Sequence, residues 1–194
     1  MLDPVDVFKA FQEHRGDAIV SAAGTAGRHW MDISTNEKRD ISLGGAMGQT
    51  TSAAFGLALG LPDEKVVLFD AEGSLLMNLG AIASIAGKKP ANFYHFLLDN
   101  ECYATTGGQP VPNSQEIDYA MMAKGAGYAA TYNFDDLEEF STSVGEIMQQ
   151  EGPVFVAIKV EPEVQNLPIG LRERRPTRGR GQTINELREE LGIE

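Results

Sequence analysis

Residues 66–109 carry the pattern that most restricts how this chain can fold. Two apolar runs of strand length flank an apolar segment with helical spacing, and a polar loop that opens with Asp99 and Asn100 follows the second run. This order is typical of a βαβ unit, whose right-handed crossover makes the two strands parallel. Both carboxyl ends then share one sheet edge, where open α/β sheets bind ligands. We therefore expect Glu72 and Ser74, after the first strand, to meet Asn100, after the second.

The rest of the chain alternates strands with helices, which predicts a single domain with a doubly wound parallel sheet and helices on both faces. Residues 28–40 are polar and are predicted to be irregular. The helix over residues 50–59 is apolar on most sides, so we expect it to be buried. The other predicted strands cover residues 18–22, 41–43, 127–132 and 153–160, and the other helices begin at Pro4 or cover residues 116–124 and 134–150.

Length, charge and cysteine usage narrow the function. A chain of 194 residues suits one domain with its own core. Its formal net charge of −12 argues against nucleic acid as a partner. No apolar run approaches the roughly 18 residues of a membrane span, and the acidic start lacks the apolar core of a signal peptide, so we expect no membrane contact. Cys102 is the only cysteine, which excludes an intramolecular disulfide and favours the reducing cytoplasm.

Two segments of small residues stand out. Residues 24–27 leave room for a ligand or another chain, although a plain tight turn explains them as well. Residues 44–48, rich in glycine, open the helix over 50–59, and the free N–H groups at such a helix start attract anions. Close packing of the helix on the sheet explains these glycines about as often, so both interpretations stay open.

The last part of the chain differs in character. Thr183 followed by Glu186 has the form of a capping box for a short helix, which is marginal alone and should dock on another surface. The arginines that precede it suit either a solvated loop or contact with an acidic chain or an anionic ligand. We therefore predict a domain over residues 1–168 and a basic tail with a short helix over residues 169–194. The arginines are Arg172, Arg174, Arg175, Arg178 and Arg180.

The side chains expected at the sheet edge suit a metal ion bound to phosphate. The Glu72 carboxylate and the Asn100 amide oxygen are hard ligands, of the kind that Mg²⁺ takes while it keeps places for phosphate oxygens. Ser74 and the N–H groups that open the following helix suit the phosphate oxygens themselves. Together these residues predict a metal–diphosphate site.

From about residue 17 to residue 160, the chain resembles the diphosphate-binding domain of thiamine diphosphate (ThDP) enzymes. The family motif is Gly-Asp-Gly, followed further along by Asn-Asn or Asp-Asn; here Ala-Glu-Gly-Ser at residues 71–74 precedes Asp-Asn-Glu-Cys-Tyr at residues 99–103. The resemblance implies ThDP and Mg²⁺ as cofactors, with the metal held by Glu72, Asn100 and the backbone carbonyl of Cys102. It implies that the Gly45 carbonyl accepts a hydrogen bond from the cofactor's amino group and that Met47 wedges the cofactor into a bent form. The other implied cofactor contacts are Gly73, Ser74 and Tyr103.

The same resemblance implies an enzyme subunit. Its function would be the diphosphate-binding part of a 2-oxo acid decarboxylase of the sulfopyruvate or phosphonopyruvate type. The family's pyrimidine-binding domain, which supplies the catalytic glutamate, has no counterpart in these 194 residues, so a separate pyrimidine-domain subunit and a hetero-oligomer are expected. A non-catalytic ThDP-binding or scaffold subunit, and a subunit of a ThDP-dependent carboligase or oxidoreductase, remain as alternatives.

Residues 71–72 depart from the family's Gly-Asp pattern. Glu72 keeps the charge on a longer arm, and Ala71 adds a methyl group at a tight turn, so either the metal or the turn should shift. Beyond the metal loop, three polar residues suit substrate contact or a simple polar turn: Thr105, Thr106 and Gln109. His95 lies within an apolar strand and is predicted to be a core residue.

Overall fold

The computed structural model describes residues 1–44, 46–167, 169–172 and 177–193. The strands are β1 (Ile19–Ala22), β2 (Val66–Ala71), β3 (Phe93–Asp99), β4 (Cys102–Tyr103), β5 (Gln109–Pro110), β6 (Ala130–Phe134) and β7 (Val154–Lys159). Five of them form a parallel sheet in the order β1-β2-β3-β7-β6, whereas β4 and β5 pair with each other antiparallel. The sheet places the carboxyl ends of β1, β2 and β3 side by side.

Helices cover both faces of this sheet. They are α1 (Pro4–Gln12), α2 (Gly27–Ile33), α3 (Thr50–Gly60), α4 (Glu72–Met77), α5 (Gly80–Lys88), α6 (Tyr119–Ala126), α7 (Leu137–Ile147) and α8 (Arg180–Leu191), with short 3-10 helices at Glu37–Arg39, Ala104–Thr106 and Ile169–Leu171. None of the helices in the described part of the chain combines the length and the apolar character that a bilayer-crossing helix needs.

Alternation along the strands divides the core into two apolar layers. Val67 and Phe69 of β2 pack with α1, α2 and α7, whereas Val66 and Leu68 pack with α3, α4, α5 and α6. Every residue of β3 is buried, as continuous apolar strands are in a sheet covered on both faces. The predicted fold class, a parallel sheet with helices on both faces, is therefore confirmed.

The prediction that residues 28–40 are irregular is wrong. They contain most of α2 and the 3-10 helix at Glu37–Arg39. Trp30 is buried, and its Nε1 donates a hydrogen bond to Asp40 Oδ1 at 2.9 Å. Arg15 Nη2 donates to the same oxygen at 2.7 Å. One buried aromatic and one buried ion pair thus hold a stretch whose local composition is that of a loop, because tertiary contacts override local propensity.

Two predictions next to the cavity described below are also wrong. Residues 41–43 form no strand, because the pairing is a single bridge between Val20 and Asp40, with the Ile41 N–H donating to the Val20 carbonyl at 2.9 Å. The one helix predicted between β2 and β3 is divided into α4 and α5. The division falls at Asn78, which leaves helical geometry at φ −143° and ψ 50°.

The prediction that α3 is buried holds only in part, and the prediction that Thr183 caps α8 is wrong. Only part of α3 is buried, since Ala54 and Ala58 are enclosed while Leu59 is 48% exposed. Thr183 does not cap α8, because the helix begins three residues earlier at Arg180. The helix does dock, as predicted, with Leu187 buried against the start of the chain's first strand.

The arginines of the tail that the structure describes donate hydrogen bonds to their own chain, and contact with an acidic chain or an anionic ligand stays a prediction. Arg172 Nη2 donates to the Thr105 carbonyl at 2.7 Å, and Arg178 Nη1 donates to the Glu37 carbonyl at 2.6 Å. Arg180 Nη2 donates to the carbonyls of residues 43 and 44. Arg174 and Arg175 lie outside the described residues, as does Pro168, where we placed the domain boundary.

Candidate functional site

A cavity of about 370 Å³ opens at the carboxyl edge of the sheet. Its volume falls within the usual range for small-molecule sites. Three strand ends and one loop line it. The lining residues described in the structure are residues 22–25 after β1, residues 71, 73 and 74 after β2, residues 100 and 102–106 after β3, and residues 42–44, 46, 47 and 50 before and at the start of α3. The expected convergence of Ser74 and Asn100 at one edge is present in this cavity.

Glu72, the first residue of α4, is fully buried, and it lies in sequence between Ala71 and Gly73, which line the cavity, without lining it itself. Its Oε2 accepts a hydrogen bond from the Asn100 N–H at 3.4 Å. Its Oε1 is also buried and has no hydrogen-bond partner among the described residues. Burial, with the nearby charge of Asp99, raises the pKa of this carboxyl to about 7. A buried carboxylate oxygen without a partner is costly, and it fits the position of a metal ligand.

Asn100 and Cys102 stand next to Glu72 and both line the cavity. The Asn100 Oδ1 accepts the Cys102 N–H at 3.1 Å, which folds the loop tightly after β3. Burial, together with the charges of Glu72 and Glu101, raises the pKa of the Cys102 thiol, so the thiol is neutral and only its backbone suits a cation. No group of three His, Cys, Asp or Glu side chains suited to a metal occurs in the described ranges, so a cation here would also need amide and carbonyl oxygens.

Gly73, Ser74 and Tyr103 form one side of the cavity. A Cβ built on Gly73 would lie 2.6 Å from Cε1 of the Tyr103 ring, so a residue without a side chain is required there. Ser74 is buried, and its Oγ accepts the Gly48 N–H at 3.1 Å. The predicted phosphate-binding serine therefore also ties the loop before α3 to the start of α4.

Of the two residues predicted to contact the cofactor's ring, the structure describes one. Met47 lines the cavity and is 45% exposed, which leaves its side chain free to contact an occupant or a second chain. Gly45 lies outside the described residues.

The methyl group of Ala71 does not force the expected shift of the turn. Ala71 has φ −115° and ψ 144°, an extended conformation open to any residue. Gly24, across the cavity edge, has φ +74°, and a Cβ built on it would lie 3.2 Å from the Ala71 Cβ. The alanine is therefore accommodated by a glycine on the neighbouring strand end.

The three polar residues beyond the metal loop have different environments in the structure. Thr105 and Thr106 line the cavity, whereas Gln109 does not. Thr105 Oγ1 lies 2.8 Å from Thr25 Oγ1, so the two threonines join the loops after β1 and β3. Gln109 Nε2 donates to the Thr106 carbonyl at 3.1 Å, which is the contact of a polar turn.

A buried polar network behind the site was missed by the sequence analysis. Thr51 Oγ1 donates to Asp70 Oδ2 at 2.5 Å, and the Ala71 N–H donates to Oδ1 at 2.9 Å. His95 is buried, as predicted, with its Nε2 3.6 Å from Asp70 Oδ2. Burial raises the pKa of Asp70, but His95, Thr51 and Ala71 together outweigh it and leave this pKa below its ordinary value. The sequence signal that could have predicted this network is an acidic residue, Asp70, near the end of a buried strand.

Asn78 was also missed. Its Nδ2 donates to the Gly48 carbonyl at 2.9 Å and to Ser52 Oγ at 3.1 Å. The residue that interrupts the predicted helix therefore holds the loop before α3. Nothing in the local sequence predicts this contact, because its partners lie about thirty residues away.

A family model matches most of the chain. Residues 21–158 match the thiamine pyrophosphate enzyme family at its C-terminal TPP binding domain, and thiamine pyrophosphate is the same compound as ThDP.

Several named relatives are similar in sequence. The β subunit of sulfopyruvate decarboxylase from Methanocaldococcus jannaschii is 31% identical over 160 residues, 81% of this chain and 84% of that protein. The corresponding subunit from Methanothermobacter thermautotrophicus is 37% identical over 125 residues, 64% of each chain. Phosphonopyruvate decarboxylase from Streptomyces hygroscopicus is 33% identical over 147 residues, 75% of this chain. The matched region spans only 35% of that longer protein.

Solved structures share the fold. Benzoylformate decarboxylase from Polynucleobacter necessarius superposes with a TM-score of 0.73 at 20% identity, covering 86% of this chain and 34% of that one. A thiamin diphosphate-dependent enzyme described as putative, from Mycobacterium smegmatis, superposes with a TM-score of 0.70 at 21% identity, covering 83% and 32%.

Proposed function

Because the chain belongs to the thiamine pyrophosphate enzyme family through the C-terminal TPP binding domain, we propose that it is the diphosphate-binding subunit of a ThDP- and Mg²⁺-dependent 2-oxo acid decarboxylase. The substrate type we propose is sulfopyruvate or phosphonopyruvate, since the similar relatives carry those names. We place the ThDP-binding domain at residues 1–168, with the tail at residues 169–194, and the complex in the cytoplasm.

The observation that carries this proposal is the unpartnered Oε1 of buried Glu72. It stands at the first residue of α4, beside the loop that holds Asn100 and Cys102. One carboxylate, one amide oxygen and one backbone carbonyl make an oxygen donor set that suits Mg²⁺. In the proposed complex, Mg²⁺ is held by the Glu72 carboxylate, the Asn100 Oδ1 and the Cys102 carbonyl.

The remaining cavity residues would hold the cofactor. ThDP supplies carbanion-stabilising chemistry when bound, and the protein's part is to bind and orient it. Gly73 and Ser74 both line the cavity, so the backbone at the start of α4 and the Ser74 hydroxyl would bind the diphosphate. The Tyr103 ring bounds this side of the cavity, and Met47 with Gly45 would contact the ring end of the cofactor.

We further propose that a pyrimidine-domain subunit completes the site and supplies the catalytic glutamate. Support comes from the relatives named as β subunits, one of which this chain matches over 84% of its length. Hetero-oligomers of this kind build the substrate pocket from two chains, so Thr105 and Thr106 would contribute one wall of it.

The test is a purification and an assay. The tagged chain is isolated from its native source, its partner is identified, and CO₂ release from sulfopyruvate and phosphonopyruvate is measured with ThDP and Mg²⁺. We expect release that needs both cofactors and both chains. A complex that binds ThDP but releases CO₂ from neither acid would contradict the decarboxylase assignment, and a chain without any ThDP-binding complex would contradict the whole proposal.

One observation favours a second candidate, a non-catalytic ThDP-binding or scaffold subunit. Ala71 and Glu72 replace the Gly-Asp of the family motif. If the native complex is inactive for this reason, the double variant Ala71→Gly, Glu72→Asp should raise activity from zero. A native complex that already turns over 2-oxo acids excludes this candidate.

A further inference from the structure

The C-terminal helix α8 lies behind the cavity wall formed by residues 42–44. We infer that Arg180 and Thr183 of α8 are positioning residues that hold this wall, and thereby set the affinity for the ring end of ThDP. The inference rests on the proposed function, because it takes ThDP as the occupant of the cavity. Neither Arg180 nor Thr183 lines the cavity, so both would act through the wall.

The first turn of α8 binds three consecutive backbone groups of the wall. Thr183, which is 3% exposed, accepts the Ser42 N–H on its Oγ1 at 3.1 Å. Arg180 Nη2 donates to the Leu43 carbonyl at 3.3 Å and also to the Gly44 carbonyl. Ser42, Leu43 and Gly44 all line the cavity. Each of these α8 contacts is therefore separated from an occupant of the cavity by a single wall residue.

Other support for the wall comes from the apolar packing of Leu43 against two core clusters and from hydrogen bonds on either side of it. Before it, the Ile41 N–H donates to the Val20 carbonyl at 2.9 Å, and after it the Gly48 N–H donates to Ser74 Oγ at 3.1 Å. In the described residues between these two points, the hydrogen bonds to other elements all come from α8. Segments with few hydrogen bonds to other elements open at low free energy, so losing an α8 contact should loosen the wall, although Leu43 still packs on the core.

The position of α8 itself does not depend on Arg180. Leu187 is buried in a small cluster with Ile19 and Ile41. Arg178 Nη1 donates to the Glu37 carbonyl at 2.6 Å and to Glu186 Oε2 at 2.6 Å. Replacing Arg180 should therefore release the wall while α8 stays docked.

The experiment compares Arg180→Gln with the matched control Arg188→Gln in the complex of the proposed function. Arg188 is an exposed arginine of the same helix whose side chain makes no hydrogen bond or ion pair to any described residue. Isothermal titration measures the affinity for ThDP and for inorganic pyrophosphate, each with Mg²⁺. We expect Arg180→Gln to weaken ThDP binding about tenfold, the loss typical of a charge-assisted hydrogen bond.

The affinity for pyrophosphate distinguishes a positioning role of Arg180 from a general loss of structure in the variant. Pyrophosphate is proposed to bind Ser74 and the Mg²⁺ held by Glu72 and Asn100. In the described part of the chain, α8 makes no hydrogen bond to these three residues, so pyrophosphate affinity should stay unchanged in both variants. Thr183→Val, which keeps the volume and removes the acceptor, should show the same split between the two ligands.

Each other outcome overturns the inference. Equal ThDP affinity in Arg180→Gln and Arg188→Gln would refute it while the proposed function stands. An equal loss for ThDP and pyrophosphate would show a structural role only. A native complex that binds pyrophosphate but not ThDP, or neither, would refute the proposed function and this inference with it.

Discussion

Among single residues, Glu72 is the proposed metal ligand, and its burial lowers the stability of the metal-free folded chain. Its side chain is fully buried, one oxygen accepts the Asn100 N–H at 3.4 Å, and the other has no hydrogen-bond partner among the described residues. Without a cation, the folded chain must bury this charge or keep it protonated, which is why the pKa rises to about 7. Functional sites commonly retain such unfavourable groups.

Replacing Glu72 by Gln should stabilise the metal-free chain. The carboxyl titrates near 4.5 when unperturbed and near 7 in the folded chain, so native stability falls as pH rises between these values, because the unfolded chain ionises first. Above pH 7 the Gln variant should be more stable by about 3 kcal/mol, since one pKa unit corresponds to about 1.4 kcal/mol. Urea unfolding of both proteins at pH 4 and pH 8, without Mg²⁺, measures the difference. An equal gain at both pH values would show that the charge is not its cause.

Gly73 is the second residue whose identity the site demands. Gly73→Ala places a methyl group within 2.6 Å of the Tyr103 ring, so we expect a loss of about 1–3 kcal/mol in the free energy of unfolding. The cavity side formed by this ring should also move, which would weaken pyrophosphate binding.

Gly87→Ala is the matched control for this substitution. Gly87 lies in α5, and a Cβ built there meets no atom within 4 Å. Alanine should therefore stabilise the helix by about 0.5–1 kcal/mol. Chemical denaturation of both variants tests the pair, and a Gly73→Ala protein as stable as Gly87→Ala would contradict the contact with Tyr103.

At the scale of elements, the site is built where β1, β2 and β3 end, and this much was predictable from the sequence. Apolar runs separated by a helical segment predict parallel strands, and the residues after them must then share an edge, which places Asn100 near Glu72. The structure brings the Asn100 N–H to 3.4 Å from Glu72 Oε2. The roles of these two residues in binding a metal stay predictions.

The elements that sequence reasoning missed depend on distant partners. Trp30 makes α2 a helix by burying its ring and bonding Asp40, ten residues away. Asn78 ends α4 and bonds Gly48, thirty residues away. Periodicity and propensity describe only neighbours in sequence, so they contain no signal for either contact.

A buried contact of 3.6 Å between Asp70 Oδ2 and His95 Nε2 joins β2 to β3, beside the backbone ladder of these strands. His95→Leu leaves the Asp70 charge with Thr51 and the Ala71 N–H alone, so we expect a loss of about 3 kcal/mol in unfolding free energy. The double variant Asp70→Asn, His95→Leu should recover part of this loss, because no buried charge remains. A double variant as unstable as the sum of the two single variants would exclude coupling between them.

At the scale of the whole molecule, one face of the sheet carries an aromatic cluster, and the carboxyl edge carries the cavity that we propose as the binding site. The aromatic cluster of Phe8, Phe11 and Trp30 packs on Phe69, with the two phenylalanine rings 4.8 and 4.9 Å from it. Near the carboxyl edge, by contrast, the chain buries the Glu72 carboxylate, one oxygen of which has no hydrogen-bond partner in the described part of the chain. We attribute this contrast to a site completed by a cofactor, a cation and a second chain.

The measurement that tests the central claim most directly is a calorimetric titration of ThDP into the complex, with and without Mg²⁺, for the native chain and for Glu72→Gln. Our account predicts tight ThDP binding that requires Mg²⁺ in the native complex and a loss of that requirement, with at least a hundredfold weaker binding, in the variant, on the order of the effect of a lost charged ligand. ThDP binding that is equal with and without Mg²⁺, or equal in the native and variant complexes, would contradict the metal–diphosphate site at Glu72.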